Sequence, residues 1–276
     1  MYWPAFEFSF RLDIRRLLPH IAAIEASQEA ALSRVIPPQW REAPAAEGSP
    51  PLDGLAEQLT PEQIGARKEQ LHRRNASGAQ AWVRQRFVPG SAALSLDDIL
   101  QMHRLSAEES GLRFGEPGIL RHSGMAITVG RAEVGGIHFG APETRLQPLM
   151  EEYVQFVNGG NVAGLPAIMH AVVAHFFFTT VHPFDDGNGR VSRLVSAGIL
   201  FQRGYNGHGF YALSNYFYHH DMKYHTLLHQ AWQRSPPFDL TAFVAFGMEG
   251  LAFELQGINS FNRVKLHRSG HDHFCR

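Results

Sequence analysis

The amino-acid sequence predicts a mostly α-helical protein with one small pair of β-strands. Apolar residues recur at the three- and four-residue spacing of a helix in most segments, as at Val191, Leu194 and Val195. A nearly continuous apolar run at residues 165–181 is typical of a helix that is buried on all sides. β-type residues cluster around glycines in the short stretch Met125–Phe139.

The N-terminal part of the chain divides into a helical segment, a linker and the start of a second helical region. Leu12–Leu32 has helical character, and Glu42–Asp53 is rich in proline and glycine. Thr60 and Pro61 then form a helix start, with threonine as the N-cap and proline at the first helical position. We therefore expect an N-terminal helical region with its linker at 1–60, a main domain at 61–256 and a C-terminal tail at 257–276.

A capping signal marks the helix that precedes the predicted strands. Ser95 is a good N-cap, and Asp98 follows three residues later in the manner of a capping box. This pair predicts a helix that continues to about Ser106.

Five further helices follow the predicted strands. Their expected bounds are Arg145–Val157, Pro166–Val181, Arg190–Arg203, His219–Gln233 and Asp239–Leu255. The apolar one at 165–181 is shorter than the ~20 residues of a membrane span and contains polar side chains. We interpret it as a buried central helix, and its His175 as a core histidine bonded to a backbone carbonyl.

Charge and cysteine content favour a cytoplasmic protein. The 276 residues carry a formal net charge of −1, so no basic surface indicates binding to nucleic acid or to an anionic membrane. The single cysteine, Cys275, excludes an intrachain disulfide and is compatible with a reducing cytosol. The first twenty residues show no secretory signal. We expect nucleotides and proteins as partners, with no nucleic acid and no membrane.

The stretch with the most chemical information reads HPFDDGNGRVSR and begins at His182. Histidine is the side chain that accepts a proton near neutral pH. Asp186 offers a hard oxygen to Mg²⁺, which prefers carboxylates together with phosphate oxygens. Gly187 and Gly189 let phosphate oxygens approach backbone N–H groups, and Asn188 adds an amide donor. These residues predict a phosphate-binding nest.

A helix that starts at these glycines would direct its positive N-terminal end at the bound anion. Arg190 and Arg193 are three residues apart on its first turn, so both guanidinium groups can reach the same polyphosphate. Taken singly, each of these residues would more often be an ordinary core or surface residue. The combination indicates a nucleotide site.

This stretch resembles the signature of the Fic (filamentation induced by cAMP) family, His-x-Phe-x-(Asp/Glu)-Gly-Asn-Gly-Arg-x-x-Arg. All its specified positions are matched, by His182, Phe184, Asp186, Gly187, Asn188, Gly189, Arg190 and Arg193. The resemblance covers about residues 95–256, where Leu165–Val181 matches the family's buried core helix and Arg121–Phe139 its hairpin. It implies a Fic-type helical bundle with a small β-hairpin flap over the active site, and a catalytic domain at 61–256.

The resemblance also implies an activity: transfer of AMP from ATP to a serine, threonine or tyrosine hydroxyl of a protein. His182 would be the base that deprotonates the hydroxyl, and Asp186 would hold Mg²⁺. The remaining motif residues would bind the phosphates, with Gly187, Asn188 and Gly189 at the α- and β-phosphates and Arg190 and Arg193 at the β- and γ-phosphates.

Two further roles follow from the resemblance. The flap, roughly Ile127–His138, would bind the target protein as an added strand and place its hydroxyl beside His182. Tyr224 is the best candidate for the residue near adenine, and Trp232 is a weaker one. Packing in the core is the alternative for both aromatic residues.

Many family members restrain themselves through a glutamate in the pattern Ser/Thr-x-x-x-Glu-Gly/Asn. Neither serine nor threonine stands four residues before any glutamate in this chain. Glu47 keeps the glycine, and Glu25 lies in a helical segment, so both are candidates for an inhibitory residue. Glu249 matches as well as Glu47, which shows how weak the pattern is. We expect weak or atypical autoinhibition, and a separate inhibitory partner chain is an alternative.

Three functional hypotheses remain open at this point. The first is AMP transfer to protein hydroxyls, which the complete glycine-asparagine-glycine set favours. The second uses the same site for another phosphoryl or nucleotidyl transfer, or for removal of AMP. The third is a nucleotide-binding regulatory module with little turnover, and an intact His182 argues against it.

Overall fold

The computed structural model describes residues 6–11, 13–19, 21–26, 75–107, 115–122, 124, 127–131, 133, 136–206 and 213–256. The fold is mostly helical with a small two-stranded hairpin, as the sequence predicts. Its main helices are α1 (75–86), α2 (Leu96–Ala107), α3 (Leu146–Asn158), α4 (Ala167–Val181), α5 (Asn188–Gln202), α6 (Leu213–His219), α7 (Asp221–Trp232) and α8 (241–256).

Helix α4 is the centre of the fold, because all fifteen of its residues are buried. Its most extensive contact is with α5, and α3 packs on another side. The Tyr153 hydroxyl of α3 donates a hydrogen bond of 3.0 Å to the Ala174 carbonyl oxygen of α4. Aromatic rings of α4, Phe176 and Phe177 among them, pack edge-on against neighbouring rings. The prediction of a buried central helix is confirmed.

The N-terminus of α2 contains the predicted capping box. The Ser95 N–H donates to the Asp98 carboxylate at 2.9 Å, and the Asp98 N–H donates to Ser95 Oγ at 3.1 Å. Arg86 of α1 forms two hydrogen bonds of 2.8 Å with the same carboxylate. This pairing joins α1 to α2 and fixes the start of the helix that runs beside residues 182–189, the predicted phosphate loop.

The predicted strands form an antiparallel hairpin of β2 (Thr128–Arg131) and β3 (Gly136–Phe139), in which Val129 lies opposite His138. A second, parallel pair was not predicted. It joins β1 (Phe8–Ser9) to β4 (Phe238–Asp239), and a strand of two residues is too short to leave a periodic signal.

One predicted segment needs correction, and three others lie outside the described residues. The single helix expected at His219–Gln233 is wrong at its N-terminal end, because one helix ends at His219 and α7 begins at Asp221. The backbone breaks at His220, whose φ and ψ are −117° and 37°. The linker Glu42–Asp53, the helix start at Thr60 and the tail 257–276 lie outside the described residues, so the proposed domain bounds stay predictions.

No helix within the described ranges combines the length and apolar character that crossing a bilayer requires.

Candidate active site

His182 is the first residue after α4 and adopts a left-handed backbone conformation, with φ 55° and ψ 62°. Its ring Nδ1 lies 3.3 Å from the Thr179 carbonyl oxygen. Because a carbonyl can only accept, Nδ1 carries the proton in this contact and Nε2 keeps a lone pair. The ring is therefore arranged to accept a proton at Nε2.

Burial lowers the pKa of His182 to about 4, against an ordinary value of 6.5. The charges of Arg121 and His138 lower this pKa further, whereas the hydrogen bond to Thr179 and the charge of Asp186 raise it. At neutral pH the imidazole is thus uncharged, which is the protonation state that a general base requires.

The loop after His182 is held by one buried phenylalanine and one buried asparagine. The Phe184 side chain is fully buried. Asn188 Oδ1 accepts a hydrogen bond of 2.9 Å from the Phe184 N–H, and its Nδ2 donates one of 2.7 Å to the Phe184 carbonyl oxygen. The amide of Asn188 therefore braces the loop. Its predicted contact with a phosphate stays a prediction.

Gly187 stands at the N-cap of α5 with a φ of 81°, which strongly favours glycine. Asn188 and Gly189 form the first turn of that helix, where backbone N–H groups have no intrahelical acceptor. These N–H groups and the positive end of α5 form the kind of site that binds phosphate. The left-handed Gly187 at the helix start is compatible with the expected nest, and phosphate binding by it stays a prediction.

Asp186 precedes this turn. Its Oδ1 accepts a hydrogen bond of 2.6 Å from the Gly187 N–H, and its Oδ2 lies 3.6 Å from Arg190 Nη2. The carboxyl side chain is 39% exposed, so it is accessible to solvent. Within the described ranges, no three histidine, cysteine or acidic side chains come together as a metal site. Mg²⁺ bound to one carboxylate and to substrate phosphates needs no such cluster, so Asp186 fits it.

The two arginines of α5 differ in their contacts. Arg190 Nη1 donates a hydrogen bond of 2.7 Å to the Ser106 carbonyl oxygen of α2. Arg193 forms no ion pair with any residue that the structure describes. Burial lowers the pKa of Arg193, and the nearby charge of Arg190 lowers it further. Among the described residues, the two neighbouring guanidinium groups share a single nearby carboxylate, that of Asp186 at 3.6 Å from Arg190, so a bound anion would be favourable here.

A cavity of about 180 Å³ adjoins both arginines. Small side chains of α1, Ala76 and Ala79, line one wall, and Leu194 and Phe217 line others. Both arginines therefore border a largely apolar space.

Tyr224, the expected adenine contact, is partly buried against the core. Its hydroxyl is 2.9 Å from Nε2 of the buried His175, and its ring packs against Phe217 and Phe243. Burial raises the pKa of Tyr224 to about 12. His175 is a core residue as predicted, and besides this hydroxyl it contacts Ser196 Oγ, at 3.4 Å from its Nδ1. Base binding by Tyr224 stays a prediction.

The hairpin flap is attached to the motif by Arg121 and His138, two side chains that no sequence motif indicates. Arg121 Nε donates a hydrogen bond of 3.0 Å to the His182 carbonyl oxygen, and its Nη2 donates to the Ala141 carbonyl. His138 of β3 contacts the Thr180 carbonyl oxygen at 3.1 Å and stacks on Trp232, with ring centroids 4.4 Å apart. Trp232 thus supports the flap.

Besides Arg121 and His138, His103 of α2 also contacts the motif, through the backbone of Asp186, although no sequence motif indicates it. No short motif contains His103 or Arg121, and histidine and arginine are common on surfaces. Only a burial pattern could have indicated them: His103 falls on the same helical face as the apolar Ile99 and Met102.

Of the two candidate inhibitory residues, Glu25 is within the described residues and Glu47 is outside them. Glu25 is buried, and its Oε1 accepts a hydrogen bond of 3.2 Å from the Asn206 N–H, beyond the C-terminus of α5. No carboxylate is among the groups that shift the pKa of Arg193. An inhibitory role for either glutamate stays a prediction.

Comparison with known proteins agrees with this geometry. Residues 93–200 match the family model of the Fic/DOC family. The chain is 32% identical over 113 residues to "Protein adenylyltransferase fic-1" of Caenorhabditis briggsae, which is 41% of this chain and 20% of that protein. It is 29% identical over 113 residues to "Protein adenylyltransferase Fic" of Drosophila erecta, covering 41% of this chain and 21% of that protein. The match thus spans about a fifth of these relatives' length.

Two solved structures share the fold. A Fic family protein from Desulfovibrio desulfuricans superposes with a TM-score of 0.70 at 21% identity, over 95% of this chain and 78% of that one. Fic-1 from Caenorhabditis elegans superposes with a TM-score of 0.62 at 20% identity, over 91% of this chain and 73% of that one. Residues 93–200, which contain the complete motif, thus match the Fic/DOC family, and the fold is shared with the two solved structures.

Proposed function

We propose that this chain transfers AMP from ATP, its nucleotide substrate, to a serine, threonine or tyrosine hydroxyl of a protein. The observation that carries the proposal is an uncharged His182, with a free Nε2, on the same loop as the anion-binding N-terminus of α5. The names of the relatives from Caenorhabditis briggsae and Drosophila erecta support AMP as the transferred group.

The proposed reaction forms a bond between the target's hydroxyl oxygen and the α-phosphorus of ATP. The bond from that phosphorus to the bridging oxygen breaks, and pyrophosphate leaves. The hydroxyl proton passes to Nε2 of His182, which the Thr179 carbonyl orients through Nδ1. Developing charge on the phosphate oxygens is stabilised by the N–H groups of Asn188 and Gly189.

The charged residues of the loop and of α5 would bind the β- and γ-phosphates. Arg190 is fixed by the Ser106 carbonyl, and Arg193 is available to pair with a γ-phosphate. Mg²⁺ held by Asp186 and by phosphate oxygens would neutralise charge on the departing pyrophosphate.

The target protein is proposed to bind as a strand along the hairpin flap. Strand addition needs a sheet edge that is held in place, and the flap is fixed to α4 and α7 through His138. Phe139 at the end of β3 is 57% exposed and offers apolar surface to a docked segment.

The proposal is tested by incubating the protein with Mg²⁺ and ATP labelled at either the α- or the γ-phosphate, with a protein mixture as acceptor. Protein-bound label from the α position alone is the expected result. Label from the γ position alone would indicate kinase-type chemistry. Nucleotide binding in calorimetry without any label transfer would instead favour a regulatory module.

We further propose that the chain's own glutamates restrain this activity little, because no described carboxylate pairs with Arg193. Glu47→Gly is expected to leave the rate of label transfer within about two-fold, since no serine or threonine stands four residues before Glu47 as the inhibitory pattern requires. Glu25→Gln tests the second candidate, whose carboxylate accepts a hydrogen bond from the Asn206 N–H, and the same small effect is expected. An increase of about ten-fold or more in the rate of label transfer by Glu47→Gly would contradict the proposal of weak restraint. Inhibition by a separate partner chain remains compatible with the expected result.

A further inference from the structure

His103 of α2 joins three separate segments through a single buried ring. The side chain is 1% exposed. Its Nδ1 accepts a hydrogen bond of 2.9 Å from the Gly118 N–H, and its Nε2 lies 3.1 Å from the Asp186 carbonyl oxygen. The ring stacks on Phe184, with centroids 3.8 Å apart and an interplanar angle of 13°.

These contacts determine the tautomer of His103. Because Nδ1 accepts from a backbone N–H, the ring proton must be on Nε2, and Nε2 donates to the Asp186 carbonyl. Each nitrogen thus satisfies one backbone group, and neither contact can be replaced by an apolar ring.

The His103 ring also leaves little room for a side chain at Gly187, the residue after Asp186. A Cβ atom on Gly187 would lie 3.1 Å from the His103 ring, so ring and loop are in close contact. The Gly118 segment leads into Arg121, which donates to the His182 carbonyl. One set of contacts therefore connects the residue proposed to bind Mg²⁺ with the residue proposed as the base.

We infer that His103 is a positioning residue of the phosphate loop. It fixes the backbone of Asp186 and the ring of Phe184, so that the Asp186 carboxylate stays beside the N-terminus of α5. His103 touches neither substrate nor metal in this role. The inference rests on the proposed function in that the ligand of the positioned loop is taken to be magnesium-bound ATP.

His103→Phe tests this role because it keeps an aromatic ring for the stack and removes both hydrogen bonds. We expect the dissociation constant for ATP with Mg²⁺, measured by calorimetry, to rise about ten-fold. His103→Gln retains a donor and an acceptor and is expected to recover a large part of the affinity. An unchanged dissociation constant in folded His103→Phe would overturn the inference.

The matched control is His170→Phe. His170 is also a buried histidine with one hydrogen bond to a backbone carbonyl, that of Val157, and it lies outside the phosphate loop. A similar fall in melting temperature for both variants, with weaker nucleotide binding only for His103→Phe, separates positioning from general stability. Equal losses of nucleotide affinity in both variants would argue for a purely structural role.

Two further measurements separate this inference from the proposed function. Combined with Asp186→Asn, His103→Phe should lose little additional affinity, because both changes act through one group, whereas additive losses would contradict the inference. Hydrogen exchange of the loop amides 184–189 in the nucleotide-free protein should be faster in His103→Phe and unchanged in His170→Phe. Wild-type protein that binds no ATP would end the proposed function, while this exchange result would still decide the role of His103.

Discussion

His182→Ala is expected to lower the rate constant for AMP transfer by about a thousand-fold while the affinity for ATP changes little. A positioned general base typically contributes a factor of about 10² to 10⁴, and alanine cannot accept the hydroxyl proton. The proposed phosphate contacts come from α5 and the loop, whose bracing by Asn188 and Phe184 does not involve the imidazole. The effect should therefore fall on turnover and not on binding.

Single-turnover transfer of α-labelled AMP and calorimetry with ATP measure the two quantities separately. His170→Gln is the control, because His170 is a buried histidine of α4, the helix that His182 follows, and bonds to the Val157 carbonyl outside the site. If His182→Ala keeps more than about a tenth of the wild-type rate, the loss is below the range of a general base, and another group must remove the proton.

The second large effect is a loss of stability in mild acid. Burial lowers the pKa values of four histidines, to about 4 for His103, His170 and His182 and to about 3 for His175. In the unfolded chain these groups titrate near the ordinary value of 6.5. Between pH 6.5 and about 4 the unfolded chain therefore binds protons that the folded protein does not, and stability falls as the pH falls.

The expected size of this effect is roughly 1 kcal/mol for each of the four histidines between pH 7 and 5.5, or about 4 kcal/mol together. This is a large part of the ~5–15 kcal/mol that stabilises an ordinary domain. Urea unfolding at pH 7.5 and 5.5 measures the difference. His170→Gln removes one of the titrating groups and should reduce the pH dependence by about a quarter, as one of four similar contributions. Equal unfolding free energies at the two pH values would contradict the prediction.

The sequence by itself predicted the resemblance to the Fic family, the order of the main helices and the glycine turn at the start of α5. The reason is that these features depend on neighbours in the chain. A helix N-cap needs Ser95 and Asp98 three residues apart, and a left-handed turn needs glycine at Gly187. The apolar run of α4 indicates burial without reference to any other segment.

Only the tertiary structure decided which side chains support the loop and which predicted ligand-binding side chains are hydrogen-bonded to other parts of the protein. His103 and Arg121 reach the motif across 83 and 61 residues of chain, so no local pattern records their contacts. The structure also shows the Asn188 amide bonded to the Phe184 backbone, and Tyr224 bonded to His175. Such contacts depend on how helices pack together, since packing brings distant residues within hydrogen-bonding distance, and residue spacing along one helix carries no information about them.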